Sequence, residues 1–205
     1  MEAKTIFNER RSVHFFDKNK QVSDSLVKDI INQAVLAPSA FNLQPWRIIV
    51  VKTPASKQTL YELSNKQPKV LEAPATLIIV GDKDGYADSN PVWAEMLISV
   101  GGNLAMVNGA KSAAAFLYGT SEERRIKFAE SNAGLLAMSI MIAAKEFGVD
   151  SHAMSGIDFD GIHKAFGLKE SESVVMSIVL GHFDETQQLY PRRPRRQFDE
   201  IAAIV

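Results

Sequence analysis

Ala37-Pro38-Ser39-Ala40-Phe41-Asn42-Leu43-Gln44-Pro45-Trp46 is the densest cluster of turn formers, small polar groups and aromatics in the chain. It separates a helical pattern from a strand-like run, Arg47-Ile48-Ile49-Val50-Val51. Pro38 stops a helix because it lacks an N–H and its ring clashes with the preceding turn. Between Pro38 and Pro45, the side chains of Ser39, Asn42 and Gln44 can hydrogen-bond beyond their own backbone. Taken alone, the stretch reads as an ordinary helix-to-strand loop.

Working outward, the upstream helix has Ser23 as N-cap and Asp24 at its positive end. Leu26, Val27, Ile30, Ile31, Ala34 and Val35 follow at helical spacing, one apolar face for a core. Downstream, Thr53-Pro54-Ala55 opens a helix to about Ser64, and Asn65 to Lys69 interrupts it. Ala75 to Gly81 is apolar on both faces, the pattern of a central strand, and Glu172 to His182 is a second buried strand. Pro91 to Tyr118 is helical and rich in Ala, Gly and Met, with Val100-Gly101-Gly102-Asn103 read as close helix packing. Glu122 to Phe147 is helical again, capped by Ser121 and stopped by Gly148. From Gly134 to Ala144 it is apolar nearly all round, so it is buried in a core or between subunits. Phe159 to Phe166 forms a short helix ending at Gly167. The chain closes on Ile201-Ala202-Ala203-Ile204-Val205, an apolar tail that needs a partner.

Composition narrows the function classes. The 205 residues suit one domain, with 46% apolar and 23% charged residues. A net charge of -1 recruits neither nucleic acid nor an anionic membrane. The chain has no cysteine, which excludes disulfides, thiolate nucleophiles and thiolate metal sites. No apolar signal segment opens the sequence, and Ala133 to Ala144 is too short to span a bilayer. A cytoplasmic location is expected.

Searches for self-contained chemistry fail. No Gly-x-Gly-x-x-Gly follows a strand, and neither a phosphate loop nor a Gly-x-Ser-x-Gly elbow occurs. The 4 histidines lack metal-ligand spacing. If the protein is an enzyme, a bound cofactor carries its reaction. Arg10, Arg11, Ser12 and His14 form either a solvated charged loop or a clamp for phosphate or carboxylate. Met154-Ser155-Gly156-Ile157-Asp158 has small residues where backbone can approach a flat ligand.

Five segments in order resemble the FMN-dependent nitroreductase family: Glu9 to Phe16, Ala37 to Trp46, Gln67 to Pro74, Met154 to Asp158, and the basic Pro-Arg run before the apolar C-terminus. The resemblance covers essentially the whole chain. It implies an α+β fold with a central mixed or antiparallel sheet flanked by helices, as one FMN-binding domain over residues 1–205. It further implies a homodimer in which an arm from roughly residue 187 to 205 crosses to the partner and adds a strand to its sheet. FMN would lie at the subunit interface, with NADH or NADPH as electron donor and a small flat acceptor such as a nitroaromatic or quinone.

By the same resemblance, Arg10 and Ser12, with Arg195 or Arg196 of the arm, hold the FMN phosphate, and Arg11, His14 and Arg193 are further cofactor-binding candidates. Gln67 and Lys69 contact the ribityl chain and pyrimidine edge. Backbone of Ser155 and Gly156 faces the N5/O4 edge, and Pro38, Ser39 and Asn42 come from the other subunit. Each role has a physical reason. A phosphate needs charge-assisted donors. Hydride arriving at N5 leaves negative charge near N1 and O2, which a lysine stabilises. His14 departs from the family pattern of Arg or Lys at this position; ordinary histidine titration implies FMN affinity that weakens from pH 6 to 8.

Alternatives within the family are reductive dehalogenation, for which the Gly81–Gly119 region offers no evident lid, and FMN-dependent dehydrogenation. An alternative of another class is nucleic-acid binding by Pro191-Arg192-Arg193-Pro194-Arg195-Arg196, against which stands the lack of any wider basic face.

Overall fold

A computed structural model describes residues 3–205. Its centre is a four-stranded antiparallel sheet in the order β1-β2-β4-β3, with β1 Trp46–Val51, β2 Ala75–Asp82, β3 Asp150–Met154 and β4 Glu172–Gly181. The α+β expectation holds, with all named strands antiparallel.

β2 is central because both its faces are apolar, and Ala75 to Gly81 are buried throughout. Leu77 and Ile79 point to one core, shared with Ile30 of α2 (Asp24–Ala34) and with Leu136 and Ile140 of α7 (Glu122–Glu146). Ile78 and Val80 point to the other, shared with Val13, Val70, Met154 and Val174. The strand period of two thus supplies both layers from one segment. A bulge between Ile79 and Val80 adds Val175 to the facing strand.

Local chemistry sets the helix ends. Ser23 Oγ accepts from Leu26 N at 3.1 Å and Ser121 Oγ from Arg124 N at 3.3 Å, each satisfying an orphan N–H of a first turn. Gly148 ends α7 with φ 73°. α7 has the length and apolar content of a membrane span, but it is the core helix: Leu136, Ala137 and Ile140 are buried against the sheet. It is not buried all round within one chain, since Leu135 stays 48% exposed.

One helical expectation is corrected. Pro91 to Tyr118 is two helices, α5 Val92–Ser99 and α6 Leu104–Tyr118. Gly101 and Gly102 lie between them at φ 65° and 82°, with open space where a Cβ would sit. They break the helix rather than pack against another one, and Asn103 caps α6 by accepting from Met106 N at 3.2 Å. The remaining helices are α1 Ala3–Glu9, α3 Pro54–Glu62, α4 Lys69–Glu72, α8 Phe159–Ala165 and α9 Phe198–Ile201. Beyond α9 the tail is extended at Ala202, and Ile204 is 90% exposed.

Candidate active site

The segment after α1 runs alongside the outer edge of β3. Val13 N donates to Ser151 O at 3.1 Å, and Ser12 and Ser151 form a parallel bridge. Val13 is buried in the core, which turns its neighbours Ser12 and His14 outward. The C-terminal arm then folds back over this segment. Arg192 Nη2 donates to Asn8 O at 2.7 Å and to Arg10 O at 2.8 Å, and Arg11 donates to Tyr190 O. The Tyr190 ring meets the edge of His14 with centroids 5.2 Å apart.

These contacts enclose a cavity of about 380 Å³ lined by Arg10, Arg11, Ser12 and His14 on one side and by Arg192, Arg193 and Arg195 on the other. Among the described residues, no carboxylate ion-pairs with any of these guanidiniums. Burial first, then Arg192, Arg195 and Arg11, depress the Arg10 pKa. Cations gathered without a counter-charge around a small cavity fit a phosphate ester. Arg196 is exposed and does not line the cavity.

A second set adjoins the first. Gln67 Nε2 and Asn65 Nδ2 both donate to Gly156 O, at 3.1 and 3.0 Å, and Lys69 Nζ donates to Gln67 Oε1 at 3.0 Å. Asn65 and Lys66 hold left-handed backbone at φ 50° and 51°, a conformation that asparagine tolerates. Asp158 N donates to Leu63 O at 2.7 Å, tying the Ser155-Gly156 loop to the end of α3. Exposed Ser155 and Gly156 sit between buried Met154 and Ile157, and Lys69 precedes buried Val70. Each polar group is thus aimed by an apolar neighbour anchored in the same core.

Lys69 joins the two sets electrostatically, because its charge acts on both His14 and His152. The two imidazoles meet edge-on at 4.6 Å, and His152 Nδ1 donates to Val13 O at 2.8 Å. Desolvation, then Lys69 and His14, push the His152 pKa down to about 4. Desolvation and then Lys69 also lower His14. Among the described residues no neighbour raises His14, so its loss of charge shifts to lower pH than that of an ordinary histidine.

Pro38, Ser39 and Asn42 lie elsewhere. Ser39 Oγ accepts from Gln44 N at 3.0 Å, and Ala40 N donates to Asn132 Oδ1 at 2.9 Å. Leu43 anchors the stretch in a third core with Trp93 and Phe128. The stretch leads into the start of β1, at the same end of the sheet as the Ser155-Gly156 loop but on the opposite edge. Three strand spacings, about 14 Å, separate the two edges. One chain does not bring both halves together.

A model described as the nitroreductase family matches residues 8–182. The chain belongs to the nitroreductase family. A relative from Thermus thermophilus named NADH dehydrogenase is 30% identical over 185 residues, covering 89% of this chain and 87% of its own. A relative from Lactiplantibacillus plantarum named CLA biosynthesis enone reductase is 32% identical over 185 residues, 87% and 84% of the two chains. Among solved structures, a Bacillus subtilis protein described as a nitroreductase, ydfN, superposes with a TM-score of 0.91 over 98% of both chains at 27% identity. A nitroreductase-type protein of Exiguobacterium sibiricum, solved in complex with FMN, superposes with a TM-score of 0.84 at 25% identity, covering 100% and 98% of the two chains.

Against this nitroreductase frame, sequence reading passed over Asn65, Arg192, Tyr190, Asn132 and His152. Asn65 carried a signal, an asparagine beside a break in a helical pattern. Arg192 belonged to the run already singled out. His152 and Asn132 offered none, because their partners Val13 O and Ala40 N are far away in sequence.

Proposed function

We propose that this protein is an FMN-dependent NAD(P)H oxidoreductase that acts as a homodimer on small flat acceptors such as nitroaromatics and quinones, using one face for donor and acceptor in turn. The observation that carries the reading is the cationic cavity of Arg10, Ser12 and Arg195, coupled through His14 to the set of Lys69, Gln67 and Gly156. The first group fits a phosphate ester, and the second presents an ammonium and amides to a polar ring edge.

Bound there, FMN would supply two-electron redox chemistry between the nicotinamide donor and the acceptor. The protein's own groups bind and orient. Arg10, Arg193 and Arg195 neutralise phosphate charge, with Ser12 as a hydroxyl donor. Lys69 favours negative charge at the ring edge, and Gln67 holds both Lys69 and the Gly156 loop. No side chain is assigned as a general acid or base.

Dimerisation completes the site in this reading. Pro38, Ser39 and Asn42 of one chain meet the arginine and lysine groups of the other. Of the arm expected from about residue 187, the part through Arg195 stays on its own chain, tied to Asn8 and Arg10 through Arg192, and only the end beyond it crosses to the partner in this reading. The apolar tail and the exposed side of α7 are the surfaces such a dimer would cover. The donor comes from a cytoplasmic pool. Within the basic run, Arg192 is turned inward onto the Asn8 and Arg10 carbonyls, and Arg193 and Arg195 line the phosphate cavity in this reading, which leaves little of the run for a nucleic acid.

Absorbance of the purified protein during anaerobic titration with NADH and NADPH tests the reading. The expected result is a flavin spectrum that bleaches at one equivalent of donor per site and returns on adding a quinone. A protein that neither retains nor takes up FMN would overturn it.

A further inference from the structure

Ala40 lines a second cavity, of about 460 Å³, walled by Leu117, Tyr118 and Phe128 and rimmed by Arg124 and Lys127. Its aromatic wall is held in place from two sides. Tyr118 stacks on Phe128 with centroids 4.3 Å and planes 23° apart, and Phe41 meets Tyr118 edge-on at 6.3 Å. Phe41 takes left-handed backbone at φ 52°, a conformation that costs about 1–2 kcal/mol. The bonds of Ser39 and Ala40 to Gln44 and Asn132 hold that turn. A fixed aromatic wall suits a planar π system. The volume lies within the roughly 300–1,000 Å³ of small-molecule sites.

The rim adds charge. Arg124 and Lys127 are three residues apart on α7, on one side of the helix. Among the described residues neither has a carboxylate partner, and no carboxylate lines the cavity. Nearby Glu122 is engaged with Lys83 and Arg125. Ser131 contributes a hydroxyl to the lining. An apolar wall beneath two uncompensated cations discriminates between planar molecules by charge.

We infer that this cavity is the acceptor subsite and that it prefers planar aromatic acids, the ring against Tyr118 and the carboxylate on Arg124 and Lys127. Its part in turnover rests on the flavin reading above, since Ala40 lies between Ser39 and Asn42. Its binding chemistry does not. Both cations are exposed, so water screening keeps the preference modest.

Benzoate and benzamide share a ring and differ in charge. Calorimetric binding of each to the purified full-length protein should show benzoate tighter by about three- to tenfold, less so as salt is raised. The double variant Arg124→Gln/Lys127→Gln, shown to be folded by circular dichroism, should bring the ratio to within about twofold of one. Arg124→Lys, which keeps the charge, should retain most of the preference. The kcat/KM ratio for 4-nitrobenzoate over 4-nitrobenzamide should follow the same order. Equal binding of the two probes to the unaltered protein, or a preference that survives in the double variant, overturns the inference. If the flavin reading alone is wrong, neither nitro compound is reduced while the benzoate preference and its loss persist.

Discussion

The Lys69 ammonium donates to Oε1 of Gln67 across 3.0 Å, leaving the Gln67 amide to donate to the Gly156 carbonyl at 3.1 Å. Burial lowers the Lys69 pKa, with Glu72 opposing. A folded-state pKa below the unfolded one means that the charge costs stability at neutral pH, a cost relieved as pH rises through the folded value. Lys69→Met is therefore expected to lose flavin on dialysis while global stability stays within about 0.5 kcal/mol or rises. Flavin-to-protein absorbance and the urea midpoint of the flavin-free protein read the two effects separately. A variant still fully yellow after dialysis removes Lys69 from the site.

His152 is held neutral by burial, with a pKa of about 4. For a base whose pKa is depressed on folding, the stabilisation is complete above its ordinary value near 6.5 and is lost as pH falls through the folded value. Urea unfolding from pH 7 to 4 should show the stability gap between the protein and His152→Gln narrowing by of order 1–2 kcal/mol, after allowance for partial solvent screening. A gap independent of pH would show that His152 is not held neutral.

His14 follows the same sign. With its pKa lowered, FMN affinity should show little His14-dependent change between pH 7 and 8, and His14→Arg should bind FMN more tightly across that range. Flavin fluorescence titration at each pH checks this. A steep fall in affinity above pH 7 that His14→Arg abolishes would reverse the assignment.

Gly85 supports the Pro38–Pro45 stretch from below. A Cβ at this position would lie 2.4 Å from Pro45 Cβ and 3.0 Å from Pro45 Cα. Gly85→Ala should therefore displace Pro45, whose carbonyl accepts from Asp82 N at 2.9 Å, and destabilise the protein by about 1–3 kcal/mol. Thermal unfolding against the unaltered protein measures it, and an unchanged midpoint would mean the loop yields freely.

Removal of residues 198–205 tests the arm. Phe198, Ile201 and Ile204 are 55%, 63% and 90% exposed in one chain. If they dock on a partner, truncation should weaken self-association at least about tenfold in sedimentation, through lost apolar burial. An equally tight truncated dimer would rule out a major role for the tail.

Local signals and long-range ones divided the reading. Ser23, Ser121 and Gly148 were legible as helix ends because a cap acts within one turn. β2 was legible because it is apolar on both faces. β3 was not: Asp150-Ser151-His152-Ala153-Met154 lacks β-branched residues, and it is a strand because it pairs with β4 and is flanked by Ser12 and Val13. The break at Gly101-Gly102 was read as packing because glycine serves both purposes in a helical pattern. His14 was assigned ordinary titration because desolvation by the fold leaves no trace in the chain.

What the sequence by itself determined was the family, the sheet's central strand, the long core helix, and the residue types at Arg10, Ser12, Gln67, Lys69 and Gly156. Those choices are local or carried by short motifs. Only the tertiary structure decided which of them meet. It folded the Arg192 arm onto Asn8 and Arg10, aimed Gln67 at Gly156, and turned His152 toward Val13. It also set Pro38–Pro45 at the far edge of the sheet from the Gly156 loop, because strand order follows from pairing between distant segments.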